Sequence, residues 1–495
     1  MTVRTPGLAE DADSTARPAG AWIALAACLI AVFMQMLDLT IVHTAMPALA
    51  RELHASGSAE LSIVSVYGLA FACTLPTAAR IGDLFGRHVV FPIALAAFAA
   101  ASVLCGLSSG ATELVLARGA AGVAAALASA QTIAIITGAF PERGRARAFG
   151  VYSAVAALAG MAGPMLGGAL VDGDPLGLGW RAVFLINVPL AAVAVALANR
   201  HPEASRRPAT WRAQPANDAR HVGNPGRMLR RLDLPGVTLS ATGLGLLVYP
   251  LAVGREKGWP PVMFVLLALS VPTLAVFGWQ QRRRAKRGAE PLVRVELFGE
   301  RGFAVGAVLT PMFYGVFTAL LFTVSVAAQS GLGWSASRTG LVMLPFAVGA
   351  VAGALSSPVL VSLWGSRALT VGALVFAVAL GATADTIHTD LSGLDLRDLA
   401  WPVYAAGAGM GWFAAPLPAV MMSAVAEPAT GSASGIVPTL QQVGSSVGVA
   451  ALGMVFFARV DARSYLDAII TVLWLMAGLS ALLAVLTLAL PRRRP

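Results

Sequence analysis

Charged residues are scarce in this chain. Only 12% of its 495 residues are Asp, Glu, Lys or Arg, and 57% are hydrophobic. Soluble globular domains carry about 25% charged residues, so a chain of this length with half that share is not expected to fold in water. The composition predicts an all-α polytopic membrane protein.

The residues and motifs of several chemistries are also scarce. The three cysteines, Cys28, Cys73 and Cys105, all fall in apolar runs, so we expect small packing side chains and neither disulfides nor a metal site. No GxxxxGK[ST] or HExxH motif occurs, and no Ser and His pair is evident within the apolar runs, which disfavours ATP drive and a membrane enzyme. We predict no cofactor, no metal and no catalytic residue. The net charge of +10 is concentrated in particular loops and does not indicate a nucleic-acid partner.

The chain instead contains a series of long apolar runs. Each is about 17–25 residues long and bounded by charge or turn signals, as membrane spans are. The fourteen predicted spans lie near 22–47, 61–79, 89–108, 114–140, 148–171, 182–198, 235–253, 260–279, 303–328, 338–363, 368–384, 401–425, 432–458 and 468–490. Most Lys and Arg residues then fall in the loops on the side of the N-terminus, so the positive-inside rule places both termini in the cytoplasm.

One carboxylate lies inside the first apolar run. An ionised Asp38 in hydrocarbon costs about 2.5–3.5 kcal/mol, which makes it a functional-site candidate for ion or substrate handling. Arg118 is the only basic residue well inside a predicted span. At 1.5 Å per residue, Asp38 lies about 24 Å beyond Trp22, and Arg118 about 7 Å beyond Glu113. Both fall in the outer half of a core about 30 Å thick. We expect them to pair, because pairing reduces both desolvation penalties; Glu113 is the alternative partner.

Five sequence motifs follow one another along the chain. They are LDLTIVHTAMP in the first span, ARIGDLFGRHVVF after the second, LVLARGAAGVAAA in the fourth, GMAGPMLGGAL in the fifth and GSASGIVPTLQQVGSSVGVAALG near the end. Together they resemble the major facilitator superfamily drug:proton antiporters of the fourteen-span subfamily. The chain departs from the family pattern at His43, where Asn is usual, and at Ala79, Leu84 and His88.

The resemblance implies two six-helix bundles with two inserted helices between them, fourteen transmembrane helices in all. The expected organisation is a disordered cytoplasmic N-terminus (1–20), an N-terminal bundle (21–198), a cytoplasmic linker (199–234), two inserted helices (235–280), a basic cytoplasmic loop (281–301), a C-terminal bundle (302–490) and a cytoplasmic tail (491–495). The basic loop is expected to anchor the chain at the lipid surface.

The resemblance also implies a cytoplasmic gate after the second span. Its residues are Asp83, Gly86 and Arg87. Asp83 can pair with Arg87 and accept hydrogen bonds from a neighbouring helix N-terminus, and such a latch would hold the outward-facing state. The alternative is a charge cluster that only sets topology.

The fifth span carries the antiporter motif. Its specified residues are Gly160, Gly163, Pro164, Gly167 and Gly168. Small residues allow close helix approach and the proline favours a bend. We expect packing against the tenth span, where Gly349 and Gly353 make a small-residue pair. Generic helix packing is the alternative.

Proton coupling is assigned to Asp38 and Arg118. A cationic substrate near Asp38 would favour the ionised carboxylate and expel its proton. Polar, aromatic and Met residues in the spans are candidates for the substrate cavity, although ordinary packing is the alternative for each: Met34, Gln35, Tyr67, Gln131, Tyr314, Gln329, Trp412 and Gln441. His43, five residues after Asp38, lies about 140° round the helix and is not expected on the same face.

The predicted function is proton-coupled export of a small hydrophobic, cationic or neutral compound across the plasma membrane by alternating access. Asp385 and Asp467 lie at predicted span edges, and no acid is central in the second bundle, which predicts that few charges move per cycle. A dedicated exporter of an endogenous metabolite or self-made antibiotic is the alternative; an uptake symporter or a non-transporting sensor is less favoured. The expected partners are substrate, protons and membrane lipids, and the expected state is a monomer.

Overall fold

The computed structural model describes residues 17–140, 142–200, 233–254, 257–289, 291–293, 295–389, 396–422 and 430–490, and these residues are helical apart from short turns. Most of the predicted N-terminal segment, the linker at 201–232 and the tail at 491–495 lie outside them. The helices are α1 (Arg17–Glu52), α2 (Gly57–Phe85), α3 (Arg87–Leu107), α4 (Ala111–Ala139), α5 (Glu142–Gly173), α6 (Ala182–Leu185), α7 (Asn187–Arg200), α8 (Leu234–Val253), α9 (Pro261–Lys286), α10 (Arg301–Val326), α11 (Ala336–Val342), α12 (Leu344–Trp364), α13 (Arg367–Thr389), α14 (Leu396–Ala414), α15 (Leu417–Met422), α16 (Thr430–Ala462) and α17 (Tyr465–Thr487).

The predicted all-helical membrane fold is confirmed. Within the described residues, twelve helical segments are long and apolar enough to cross a membrane, and α5, which is bent, would make thirteen. The remaining predicted span, 401–425, falls on α14, α15 and part of the undescribed segment 423–429. The number fourteen therefore stays a prediction.

The first half of the chain, α1 to α7, is built from close helix pairs. The main pairs are α1 with α5, α2 with α4, and α3 with both α4 and α7. The backbones come close because the contact residues are small: a Cβ at Gly122 of α4 would collide with the carbonyl of Tyr67 on α2.

The second half, α10 to α17, is also built from close helix pairs with small contact residues. The principal pairs are α12 with α14, α13 with α14 and α17, and α10 with α16. Gly349 and Gly353 of α12 pack on the backbone of Tyr404 and Ala408 of α14. The expectation that this glycine pair receives the antiporter motif is therefore wrong; both glycines are used inside the second half.

The two helices predicted to be an insertion, α8 and α9, form a hairpin held by a buried acid. Asp233, which caps the start of α8, accepts hydrogen bonds from Gln280 Nε2 (2.7 Å) and Gln281 Nε2 (2.8 Å) of α9 and pairs with Arg284 (3.3 Å). The hairpin packs through α8 onto α2 and α16, one helix from each half. Since α2 belongs to the first half and α16 to the second, the hairpin lies beside the contact between the two halves.

The halves meet along α2 and α16. Ser65 Oγ donates to the carbonyl of Ser446 (3.2 Å), and Ser446 Oγ donates to the carbonyl of Ser65 (2.9 Å). Nearer the start of α2, Leu61 packs against Gly453 of α16. This contact lies toward the end of the molecule at which α1 ends and α2 begins, which we call the closed end.

Two further contacts join the halves at the closed end. Asp172, at the end of α5, accepts hydrogen bonds from the backbone N–H groups of Ala336 (3.3 Å) and Ser337 (2.7 Å), which begin α11. Gln329, just after α10, donates to the carbonyl of Thr44 on α1 (2.8 Å). The three contacts use three different helices of the first half, so the closed end is held across its width.

Candidate functional site

The site is centred on an ion pair inside the first half. Arg118 of α4 donates from Nη1 to Oδ2 of Asp38 on α1 across 2.5 Å, and each side chain is only 1% exposed. The structure thus brings together the two intramembrane charges that helix depth placed at the same level. Either charge buried alone would carry a large desolvation penalty, and the attraction within the pair offsets part of both penalties.

The second oxygen of Asp38 has its own donor. Asn187 of α7, which is fully buried, donates from Nδ2 to Oδ1 of Asp38 (3.2 Å) and to Ser102 Oγ of α3 (3.3 Å). An amide nitrogen carries two hydrogens, so it can serve both acceptors at once. The carboxylate of Asp38 therefore links α1 to both α4 and α7, so a change in its charge alters the contacts among these three helices.

The guanidinium of Arg118 is enclosed by aromatic rings and backbone. Its Cζ lies 4.3 Å from the ring centre of Tyr67 and 5.8 Å from that of Phe184, and Nε donates to the carbonyl of Ile63 (3.4 Å). Cation–π contacts of this kind are stronger when the cation is desolvated. Arg118 is thus fixed in place by α2 as well as by Asp38.

The alternative partner of Asp38 is occupied elsewhere. Glu113 accepts hydrogen bonds from Ser109 N (2.9 Å) and Ser109 Oγ (3.0 Å), at the start of α4. It acts as an exposed capping acid, which is a common use of a carboxylate at a helix N-terminus. The pairing of Asp38 is therefore with Arg118.

The antiporter motif contacts both halves. A Cβ at Gly163 would collide with Thr40 Oγ1, and one at Gly167 would press on Ile41, so these two glycines bring α5 onto α1 beside Asp38. Gly168 faces the other way, against the backbone of Ala336 in α11. The helix at the motif is thus in close contact with the ion-pair helix on one side and the second half on the other.

The partner of the motif in the second half is Gly340. Gly340 lies against the carbonyl of Pro164 and belongs to the tenth predicted span, 338–363. The tenth span is therefore the partner as predicted, but the contact residue is Gly340 and not Gly349 or Gly353. Pro164 cannot donate to the carbonyl four residues earlier, that of Gly160, and α5 bends by 40° between Gly160 and Ala162. Apart from its own stretch of helix, no atom of the described residues lies within 4 Å of a Cβ placed at Gly160.

The predicted gate after α2 is only partly visible. Gly86 has φ +88°, a left-handed value that lets α2 end and α3 begin without an intervening loop. Arg87 donates from Nη1 to the carbonyl of Ala134 (3.1 Å), which ties α3 to α4. The side chain of Asp83 lies outside the part of the chain that the structure describes, and its role as a latch stays a prediction.

Six of the eight candidate cavity residues are either buried or hydrogen-bonded to a neighbouring helix in this structure. Met34 and Tyr67 are buried in the first half. The rest of this group donate hydrogen bonds to neighbouring helices: Gln35 to Ala125 O, Gln131 to Ala78 O, Gln329 to Thr44 O and Trp412 to Ser356 Oγ. Their role in a substrate cavity stays a prediction.

The other two candidates face each other in the second half. Gln441 Nε2 of α16 donates to the hydroxyl of Tyr314 on α10 (3.1 Å), and beside them Thr318 Oγ1 donates to Ser445 Oγ (2.9 Å). Thr318 is buried, the other three side chains are half-buried, and all four are uncharged. We call Tyr314, Thr318, Gln441 and Ser445 the polar strip. On α10, Tyr314 lies about 12 Å before Phe322 and Thr318 about 6 Å before it, at 1.5 Å per residue.

Comparison with known proteins decides the family. The family model of the Major Facilitator Superfamily matches residues 28–449. The chain belongs to the Major Facilitator Superfamily. It is 34% identical over 445 residues to a probable actinorhodin transporter of Streptomyces coelicolor, covering 90% of this chain and 74% of that one. It is 32% identical over 447 residues to the multidrug resistance protein Stp of Mycobacterium tuberculosis, covering 89% and 76%.

Solved structures agree on the fold of the superfamily. A bacterial homologue of the human lysosomal transporter Spinster, 16% identical in sequence, superposes with a TM-score of 0.64 over 96% of this chain and 97% of that one. This superfamily member is accordingly a multi-pass membrane transporter and not an enzyme.

Two site residues were not anticipated from the sequence of this superfamily member. Asn187 sits in the segment WRAVFLINVPL, where it is an isolated amide in an apolar stretch, and that isolation was the available signal. Asp172 follows the antiporter motif by four residues and caps α11. Nothing in its local sequence distinguishes it from an ordinary acid at the end of a span.

Proposed function

We propose that this protein is a proton-coupled exporter of the fourteen-span drug:proton antiporter subfamily. It works in the cell membrane with both termini in the cytoplasm, and it releases a small hydrophobic compound in exchange for protons. The observation that supports this most directly is the fully buried Asp38–Arg118 pair, because an ion pair with no exposure has no use in helix packing that apolar residues would not serve as well.

Proton exchange at Asp38 changes the whole site. Ionised Asp38 accepts from Arg118 and from Asn187. A proton on the carboxyl group turns an acceptor into a donor and leaves the buried guanidinium without its counter-charge. The pair must then separate or rearrange, so protonation alters how α1 is held against α4 and α7.

The fold connects this event to the closed end through two routes. Thr44, six residues after Asp38 on α1, accepts from Gln329 beyond α10. The antiporter motif on α5 packs on α1 through Gly163 and on α11 through Gly168. A shift of α1 is therefore transmitted both directly and by way of α5 to the contacts that hold the halves together, which is the coupling that alternating access requires.

The substrate is proposed to meet the second half at the polar strip. Its hydroxyl and amide groups can bind a neutral or cationic compound by hydrogen bonds while the surrounding surface is apolar. The relatives named for actinorhodin transport and for multidrug resistance support an antibiotic-like substrate. The first of these names also supports the alternative, a dedicated exporter of one self-made compound.

Reconstituted protein tests the proposal. Proteoliposomes with an imposed pH gradient should move a lipophilic cation such as ethidium against its gradient, and Asp38→Asn should abolish the proton-driven part of this flux. Glu113→Gln is the matched control, since Glu113 is an exposed capping acid of the same half. Full proton-driven flux in Asp38→Asn would show that the coupling assignment is wrong, and movement of substrate with the protons would indicate uptake.

A further inference from the structure

His43 is a titratable residue that the proposed cycle does not use. It lies on α1 five residues after Asp38 and is 1% exposed. Its ring meets Phe322 of α10 edge-on, with ring centres 6.3 Å apart, and Phe322 in turn contacts Phe457 of α16. Because both aromatic partners belong to the second half, His43 is buried by the contact between the halves.

The imidazole has no hydrogen-bond partner where it lies. Among the described residues, neither Nδ1 nor Nε2 of His43 has a donor or acceptor within reach. A neutral ring tolerates this at a modest cost, but an imidazolium would be a buried charge with two unsatisfied N–H groups. The contact at the closed end is therefore compatible only with neutral His43.

The charged pair of α1 and α4 offers a positive ring at His43 no free counter-charge. Asp38 of α1, the acid that could compensate a positive ring, is already bound to Arg118 of α4. The face that α5 turns toward this stretch of α1 consists of Gly163 and Gly167. On α10 the neighbour is the uncharged Phe322. His43 thus has an aromatic wall from the second half, and the acid and the cation of α1 and α4 are bound to each other. Among the described residues at this end, Glu60 of α2 is a further buried acid, and its Oε2 has no hydrogen-bond partner.

We propose that His43 is a second proton-binding group, which takes up a proton only when the halves separate at the closed end and which then opposes their return. The proposal rests on the alternating access proposed above. In the separated state the Phe322 side of the ring would face water, where an imidazole is protonated readily near neutral pH. Acid on that side would hold the carrier open until the proton leaves.

The size of the effect follows from linkage. When a group binds a proton in only one of two states, the population ratio of that state to the other is multiplied by one plus the ratio of the protonated to the unprotonated form there. For a hydrated imidazole, titrating near pH 6.5, the ratio of separated to closed molecules should rise about tenfold between about pH 7.5 and about pH 5.5. Acid thus favours separation and neutral pH favours closure.

Distance measurements across the closed end test this. Leu176, in the turn after α5, and Arg463, in the turn after α16, are exposed and belong to different halves. Spin labels on Leu176→Cys and Arg463→Cys, with the three native cysteines replaced by Ala, report the two populations as pH is varied. We expect the ratio of separated to closed molecules to rise about tenfold more in the otherwise native protein than in His43→Asn over this pH range, because any response of Asp38 is common to both.

Two further variants make the test specific. His54→Asn removes an exposed histidine at the same end and should leave the pH response intact. His43→Gln should behave as His43→Asn, and a distance distribution near pH 7.5 that matches the native one shows that these proteins are folded. An equal pH response in His43→Asn, or no pH response in the native protein, would overturn the proposal.

This outcome is separable from that of the proposed function. The distance titration needs no substrate and no gradient, so it can succeed even if flux is not proton-driven. Conversely, proton-driven flux that depends on Asp38 but a distance titration that ignores His43 would leave the exporter in place and remove only the second proton site.

Discussion

The two halves of this transporter differ in what they bury. The first half holds a charged pair, Asp38 and Arg118, away from solvent. In the second half, every buried polar residue among those described is Ser, Thr or Gln. Both halves use glycines to bring helix backbones together, so the difference lies in charge and not in packing.

This difference separates two tasks. Burying an ion costs several kcal/mol even when it is paired, so a chain carries such a pair where a charge has to change. Neutral hydroxyls and amides cost less and can bind many compounds. We infer that the first half handles protons and the second half handles substrate, and variants in each half test that division.

The largest effect is expected from breaking the ion pair on one side only. Arg118→Met leaves Asp38 without its counter-charge in a dry site and should destabilise the protein by about 3–5 kcal/mol. Thermal unfolding in detergent measures this. The double variant Asp38→Asn with Arg118→Met removes both charges and should recover much of the loss. If the single variant is as stable as Glu113→Gln, the pair is not buried as described.

A smaller effect is expected where the antiporter motif touches the second half. Gly168→Ala places a methyl group against the backbone of Ala336 and should weaken the closed end by about 1–3 kcal/mol. Labels on Leu176 and Arg463 should then show a larger separated population. Gly160→Ala is the matched control in the same motif, because outside its own stretch of helix no atom of the described residues lies within 4 Å of a Cβ at that position. Equal distance distributions for the two variants would contradict a role for Gly168 in closure.

Asn187→Ala should have an effect of about 1–2 kcal/mol, because it removes the donor to the second oxygen of Asp38. The ionised carboxylate loses a partner, so proton-driven flux should respond to a different pH range from that of the native protein. A pH profile of flux measures this shift. Ser108→Ala, at the end of α3, is a control for general loss of a buried hydroxyl. An unchanged profile would mean that Asn187 only packs.

The smallest effect is expected in the second half. Gln441→Leu removes the donor to the Tyr314 hydroxyl and should change the KM for substrate by about two- to tenfold. The pH dependence of flux should stay native, since the residue is far from Asp38 in the proposed division. Thr386→Val, a half-buried site on α13, serves as control. A shifted pH profile in Gln441→Leu would break the separation of tasks.

The sequence predicted how deep a residue lies along its span, but not which faces of neighbouring helices meet. A rise of 1.5 Å per residue placed Asp38 and Arg118 at one level, and the structure joins them. Depth could not say which glycines face each other, because many span faces carry small residues; the motif meets Gly340, whereas Gly349 and Gly353 face α14. The expectation that His43 does not share the face of Asp38 stays a prediction, and only the fold shows that Phe322 of the other half covers His43.

The most direct test of the division between the halves is proton release on substrate binding. Purified protein in weakly buffered detergent solution is mixed with ethidium, and the pH change is recorded. We expect proton release by the native protein, none by Asp38→Asn despite retained binding, and native release per bound ethidium by Gln441→Leu. Release of protons by Asp38→Asn equal to that of the native protein would contradict it.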